Sequence, residues 1–158
     1  MDNEIDTLSR QVRSLLGRVG DSLEGLSEAQ LNWRPPIAGA NSVYAIAAHT
    51  LGNARAWVLG IACGRPMGRD RPGEFASSGS DASALTADAA DLSREIDEAL
   101  SALPPSDLDR RLVPPRVLWG EGEPNEISVR DALLQVVEHA ALHLGQLQIT
   151  CDLALENA

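Results

Sequence analysis

The chain has 158 residues, a length that fits one domain able to bury a core of its own. Its formal net charge is −10, lysine is absent, and 13 arginines are the only permanently cationic side chains. Because this balance leaves no basic cluster, it argues against nucleic-acid binding through phosphates and against attraction to an anionic membrane.

Other features of the composition favour a cytoplasmic protein. Cys63 and Cys151 are too few for a disulfide framework, so a reducing compartment is the simpler assumption. The first residues are charged and amphipathic, unlike a signal peptide. The longest weakly polar run, residues 43–61, contains His49 and Arg55, which argues against a membrane span.

Four helices are predicted from apolar residues that recur at the helical period. The first covers residues 3–23, and the second runs from Asn41 or Ser42, either of which is a good N-cap, to residues 63–64. The third covers residues 82–103. The fourth covers residues 128–156 and opens with Ser128 and Asp131 spaced as a capping box.

The connections between these helices are polar or rich in glycine and proline. Pro35 and Pro36 exclude helix from the first connection, where Trp33 is expected to pack the chain onto the bundle. Residues 64–82 are predicted to form a mobile loop, and residues 104–127 an irregular segment broken by prolines. The pattern predicts one all-α domain over residues 1–158, a four-helix bundle whose long loops can form a lid or rim.

The three histidines of the chain are its clearest functional signal. His139 and His143 are four residues apart in the last helix, so they lie about 40° and about 6 Å from each other on one helix face. His49 lies in the second helix. Two imidazoles at this spacing can bind one divalent ion, and a third from another helix would leave an open coordination position. Packed histidines without metal are an equally good interpretation of the spacing alone.

The neighbours of the histidines refine this hypothesis. Gln146 and Asn53 are candidates for orienting the imidazoles, whereas Glu138 points away from the apolar stripe and is not counted as a ligand. No Cys, Asp or Glu stands at ligand spacing from these histidines in the sequence. Small residues around His49, such as Gly60, leave room beside the ring or serve close helix packing. Imidazole ligands suit zinc, nickel, copper and iron(II), and an open site can activate water or hold a thiolate.

Two segments resemble the DinB/YfiT-like superfamily of metalloenzymes. The run LNWRPPIAGANSVYAIAAHTLGNARAWVLG is similar to its first half, and VEHAALHLGQLQIT is similar to its second hallmark, H-x-x-x-H-x-G-Q. The resemblance implies a four-helix bundle, usually dimeric, in which His49, His139 and His143 hold a divalent metal, commonly nickel or zinc. Many relatives carry a carboxylate where this chain has Asn53, which puts a general-base role at that position in doubt.

The resemblance also suggests a class of reaction. Characterised branches are transferases and isomerases that use mycothiol, bacillithiol or glutathione. The arginine-only cation set fits a GC-rich bacterial genome, where mycothiol would be a natural partner. We therefore expect a homodimeric metal-dependent enzyme with a small-molecule substrate, either a low-molecular-weight thiol S-transferase or a hydrolase. A non-catalytic stress module that binds metal or a small ligand is the rival, and a bundle without metal is the third alternative.

Other residues have two interpretations from the sequence. Three aromatic residues either line the pocket or belong to the core, and the core is the expected place: Tyr44, Trp57 and Trp119. Three arginines beside the proline-rich segment either bind an acidic substrate or are solvated at the surface, and the surface is the expected place: Arg110, Arg111 and Arg116.

Overall fold

A computed structural model describes residues 4–120 and 122–158, and within these ranges the chain forms a four-helix bundle. The long helices are α1 (Glu4–Asp21), α3 (Val43–Ala54, continued as a π-helix over Arg55–Ala62), α5 (Ser83–Ser101) and α6 (Val129–Asn157). The short helices are α2 (Glu28–Asn32) and α4 (Arg71–Ala76), and the two-residue strands β1 (Arg111–Leu112) and β2 (Ile127–Ser128) pair antiparallel. The expected all-α bundle is confirmed. The predicted first residue of α1, Asn3, lies outside the described ranges.

The core lies where the apolar stripes of the long helices meet. α1 packs against α5 and α6, and α3 packs against α6. Leu16, Ile46, Ile96 and Leu133, one from each long helix, are at most 1 % exposed. Burying each such side chain contributes about 1.5–3 kcal/mol, a contribution that does not involve the histidines. No helix in the described ranges is long and apolar enough to cross a membrane.

Two helix starts follow the predicted capping residues. Ser42 precedes α3, and its hydroxyl accepts a hydrogen bond from the amide of Ala45. Ser128 precedes α6 in a complete capping box, in which its hydroxyl and amide both contact the Asp131 carboxylate. These caps satisfy amides that have no partner inside a helix. They therefore fix where the two histidine-bearing helices begin.

The connections contain more regular structure than the sequence predicts. α2 lies in the first connection and begins with a capping box of Ser27 and Gln30. α4 lies in the segment predicted to be a loop, and the Asp70 side chain caps it. Helices of five and six residues are too short to show an apolar period. In the segment 104–127, 3₁₀ turns and β1 bring the chain back to the start of α6.

The segment between α3 and α5 is bound to the rest of the bundle. The Asn32 side chain bonds both the amide and the carbonyl of Gly79, and Arg34 donates to the carbonyl of Phe75. Trp33 is partly buried against the core, as expected. These contacts hold α4 in place against α3, directly beside His49.

Candidate metal centre

The three histidine side chains meet between α3 and α6. His49 comes from α3, and His139 and His143 come from successive turns of α6. One candidate ligand atom from each ring can be chosen so that all lie within 4.8 Å of one another, and the Nε2 atoms of His49 and His139 are 3.1 Å apart. His49 is only 3 % exposed. This group of three imidazoles could hold a metal ion.

The carboxylate of Glu74, which lies in α4, contacts the outer nitrogen of His49. Glu74 Oε2 is 2.9 Å from His49 Nδ1, and Arg69 donates from Nε and Nη2 to the two carboxylate oxygens at 2.9 Å each. Burial alone would raise the pKa of the Glu74 carboxyl, but the hydrogen bonds of His49 and Arg69 outweigh it and hold that pKa below its ordinary value. Because an ionised carboxylate only accepts, this contact is made by a proton on Nδ1 of His49, which directs Nε2 toward the other histidines.

Gly52 gives Glu74 room to reach His49. A Cβ atom at Gly52 would lie 2.1 Å from Glu74 Oε1, far inside any real contact distance. Gly60 likewise makes room for the Met67 side chain, because a Cβ atom at Gly60 would lie 2.9 Å from the Met67 sulfur. The small residues of α3 therefore serve close packing of the segment between α3 and α5.

Phe75 covers one face of His49, and Arg71 lies over the Phe75 ring. The Phe75 ring stacks on the imidazole with centroids 4.2 Å apart, and the Arg71 Cζ atom lies 5.0 Å from the Phe75 centroid. A Cβ atom at Gly120, in the other long connection, would lie 3.6 Å from Arg71 Nη2. The two connections therefore meet beside the histidines, where Arg71 lies between them.

The two residues expected to orient the imidazoles have different outcomes. Gln146 Oε1 lies 2.9 Å from Nδ1 of His143. Within the described ranges Asn53 makes no hydrogen bond to a histidine, and its Oδ1 is buried without a partner. The place foreseen for Asn53 at His49 is taken by Glu74. The candidate ligand group contains no acidic residue within the described ranges, and Glu74 reaches His49 from a distant part of the sequence.

Burial keeps the histidines of α6 neutral. Burial, followed by the charges of the neighbouring histidines and of Arg69, lowers the pKa of His139 to about 3. Burial also lowers the pKa of His143, with a further contribution from the charge of Arg71, against the opposing hydrogen bond of Gln146. Neutral imidazoles are the form that binds a metal ion.

The histidine nitrogens fit a transition-metal ion. Two nitrogens at 2.0–2.1 Å from a tetrahedral ion lie roughly 3.3 Å apart, close to the separation of the His49 and His139 Nε2 atoms. Two lone pairs facing each other at this distance repel unless a proton or a cation lies between them. Nδ1 of His139 is buried and has no partner within the described ranges, so a proton moved there breaks no other bond but leaves a buried N–H without an acceptor. The donor set therefore suits zinc, nickel, copper or iron(II).

Comparison with known protein families agrees with this geometry. The family model of the DinB superfamily matches residues 11–147, which is most of the chain and includes all three histidines. The chain belongs to the DinB superfamily. No curated protein matches it significantly. The resemblance seen in the two sequence motifs is thus confirmed at the level of the family.

The remaining candidate residues of this DinB-superfamily chain have other contacts. Trp57 is buried and meets Trp119 edge-on at 6.0 Å between centroids, and Tyr44 packs against the core. Three arginines are engaged locally with carboxylates or backbone carbonyls: Arg110, Arg111 and Arg116. Glu138 is exposed, as expected.

A cavity of about 620 Å³ lies behind the Glu74–Arg69 pair, between α3, α5 and the segment after α3. Four of its other charged residues form two ion pairs, Arg55 with Asp88 and Arg65 with Glu95, and Asp70 caps α4. None of the three histidines lines it. The Glu74–Arg69 pair therefore separates this cavity from the histidine group.

Replacing Gly52 by alanine tests the contact between Glu74 and His49. The new Cβ must displace the carboxylate, which leaves the His49 Nδ1–H and Arg69 without their acceptor. We expect the hydrogen-bonded Nδ1–H resonance of His49 to disappear from NMR spectra of metal-free protein, as in Glu74→Ala. The free energy of unfolding should fall by about 1–3 kcal/mol.

Gly17→Ala is the matched control. A Cβ atom at Gly17, in the middle of α1, meets no atom within 4 Å. This change should leave the His49 resonance in place and keep or raise stability, because alanine is the better helix former. Persistence of the His49 resonance in Gly52→Ala would show that Glu74 does not orient the ring.

Proposed function

We propose that the protein is a metal-dependent enzyme that transfers a low-molecular-weight thiol to a small electrophilic substrate. His49, His139 and His143 are the proposed ligands of one divalent transition metal, zinc or nickel. The observation that carries the proposal is the convergence of three imidazoles, two of them with Nδ1 beside a side-chain acceptor, Glu74 or Gln146. Such acceptors leave Nε2 as the ligand atom.

The proposed chemistry needs an ion with an open position. When bound by three imidazoles, such an ion supplies a positively charged position at which a thiol loses its proton near neutral pH. The family resemblance, with its mycothiol, bacillithiol and glutathione enzymes, supports a thiol over other small substrates.

The protein's own residues prepare the site for this chemistry. Glu74 holds the proton of His49 on Nδ1, and Gln146 does so for His143. Arg69 neutralises Glu74, so the carboxylate adds little net negative charge beside a thiolate. Phe75 covers a face of the His49 ring and keeps water from it. Together these contacts orient the imidazoles before any ligand binds.

Metal binding is the first test. Protein purified without a histidine tag should contain about one divalent transition ion per chain, and His143→Ala should lose most of it. Glu74→Ala should weaken metal affinity about 10–100-fold, because an imidazole without its orienting partner is a poorer ligand. Elemental analysis and competition with a chelating dye measure both quantities.

The controls separate ligation from folding. Glu138→Ala changes an exposed neighbour of His139 and should keep full metal content. A chelator should lower the melting temperature by mass action without unfolding the protein, since the core forms independently of the ion. Full metal content in a variant lacking all three histidines would refute the site.

The second test is the reaction itself. Metal-loaded protein should accelerate the conjugation of a low-molecular-weight thiol to a chlorinated nitrobenzene, followed by absorbance. The rate should vanish in His49→Ala and on metal removal, and it should differ among mycothiol, bacillithiol and glutathione. If no thiol gives a metal-dependent rate but esters or amides are cleaved, the protein is a hydrolase. If neither occurs, the binding-module alternative holds.

A homodimer, implied by the family resemblance, is part of the proposal. Leu142, Ile149 and Leu153 form an apolar stripe on α6 and are 69 %, 64 % and 41 % exposed. The surface at Gly145, on the same side, is open, so a second copy of α6 can approach closely. A two-fold contact between the α6 helices of two copies would cover the stripe.

Sedimentation at micromolar concentration tests the dimer. Wild-type protein should sediment as a dimer and Leu142→Glu as a monomer. In the dimer the new carboxylate would be buried near the same carboxylate of the second copy, without a cationic partner. Leu155→Glu, about 140° away around α6, should stay dimeric. A monomeric wild-type protein would contradict this proposal and leave the metal site untouched.

A further inference from the structure

Among the residues that the structure describes, no carboxylate pairs with Arg71, which lies beside the histidine group. Eight other arginines form ion pairs within the described ranges: Arg13, Arg55, Arg65, Arg69, Arg94, Arg110, Arg111 and Arg130. Arg71 has only the stacking contact with Phe75 there, in a chain with 23 acidic residues against 13 basic ones. An arginine left unpaired amid such an excess of carboxylates is available for an anion from outside.

The position of Arg71 is fixed relative to the histidines. Its guanidinium lies over Phe75, whose ring stacks on His49. Its positive charge also acts on His143, and its Nη2 approaches Gly120 from across the gap between the two long connections. The guanidinium is therefore held at the rim of the group and is only partly exposed.

The charge around the histidines favours an anion. Glu74 is neutralised by Arg69, and the three imidazoles add no negative charge. Arg71 therefore gives the site a positive local charge, although the net charge of the protein is −10. A bound divalent ion would make that local charge more positive. Guanidinium groups bind carboxylates with two parallel hydrogen bonds, which fixes orientation as well as charge.

We propose that Arg71 binds a carboxylate of the reacting small molecule and so selects anionic substrates at the histidine group. This inference rests on the proposed function, because it needs a reacting group placed at the three imidazoles. It narrows the substrate class to molecules with a carboxylate a few bonds from the reactive atom. The carboxylate belongs either to the thiol or to the electrophile, and the two sources are separated by experiment.

The test uses the full chain loaded with cobalt(II), whose visible absorption changes when its ligands change. Two thiols of equal length are titrated, 3-mercaptopropionate and the neutral 3-mercapto-1-propanol. Wild-type protein should bind the carboxylate thiol about 10-fold more tightly, the size of one charge-assisted hydrogen-bonded contact. The preference should shrink as salt is added, because Arg71 is partly exposed.

Arg71→Gln should abolish the preference and leave the affinity for the neutral thiol and for cobalt unchanged. Arg18→Gln is the matched control, since Arg18 is exposed in the last turn of α1, away from the histidines. It should bind both thiols like the wild type. Arg71→Lys should keep part of the preference, because it keeps the charge and loses the two-pronged geometry.

A second pair of probes identifies the source of the carboxylate. Benzoate and benzamide carry no thiol and are titrated in the presence of 3-mercapto-1-propanol. If the protein then prefers benzoate and the preference depends on Arg71, the carboxylate belongs to the electrophile. A preference confined to 3-mercaptopropionate assigns it to the thiol.

Two results would overturn the inference, and each has a distinct meaning. If Arg71→Gln retains the preference, the carboxylate binds elsewhere, for example to the ion itself. If wild-type protein shows no preference in either pair, Arg71 serves only to pack on Phe75. Failure of cobalt to bind at all would instead refute the metal centre, and with it the proposed function.

Discussion

The contact between Glu74 and His49 is the interaction on which the site depends. The Glu74 side chain is only 12 % exposed, and an ionised carboxylate at that depth is costly unless its oxygens are bonded. His49 and Arg69 satisfy both oxygens, and each of them comes from a different part of the chain. The segment between α3 and α5 must therefore fold against α3 in one way for the charge to be buried. The same contact sets which nitrogen of His49 faces α6.

Much of the fold follows from the sequence because its long helices carry a period. Apolar stripes and capping residues place α1, α3, α5 and α6, and the spacing of His139 and His143 fixes their shared face once α6 is helical. The position of His49 opposite that face depends on how the helices pack, and in the sequence only the family resemblance indicated it. The spacing alone left packed histidines as an equal alternative, and the structure adds that the three rings are close enough to share one ion.

Glu74 and Arg71 could not be predicted because no local pattern identifies them. Glu74 lies 25 residues after His49 in a short helix inside a glycine- and proline-rich segment, so neither spacing nor period connects the two. One signal was present in the sequence. Gly52 interrupts an otherwise apolar helix three residues after His49, and a glycine there costs helix stability unless something must come close. The close neighbour is the Glu74 carboxylate, which is too far from His49 along the chain to stand at ligand spacing.

Charge acts on this site at two length scales. Far from the protein, a net charge of −10 repels anions, although salt limits that repulsion to about 8 Å at physiological ionic strength. At contact distance only the nearest groups matter, and these are the imidazoles, the Glu74 carboxylate compensated by Arg69, and Arg71. An anion that reaches the rim therefore passes from a repulsive to an attractive field within a few ångströms. Eight of the other arginines form ion pairs within the described ranges, whereas Arg71 lies at the rim of the histidine group without one, and this is how the proposed site would let an acidic protein select an acidic ligand.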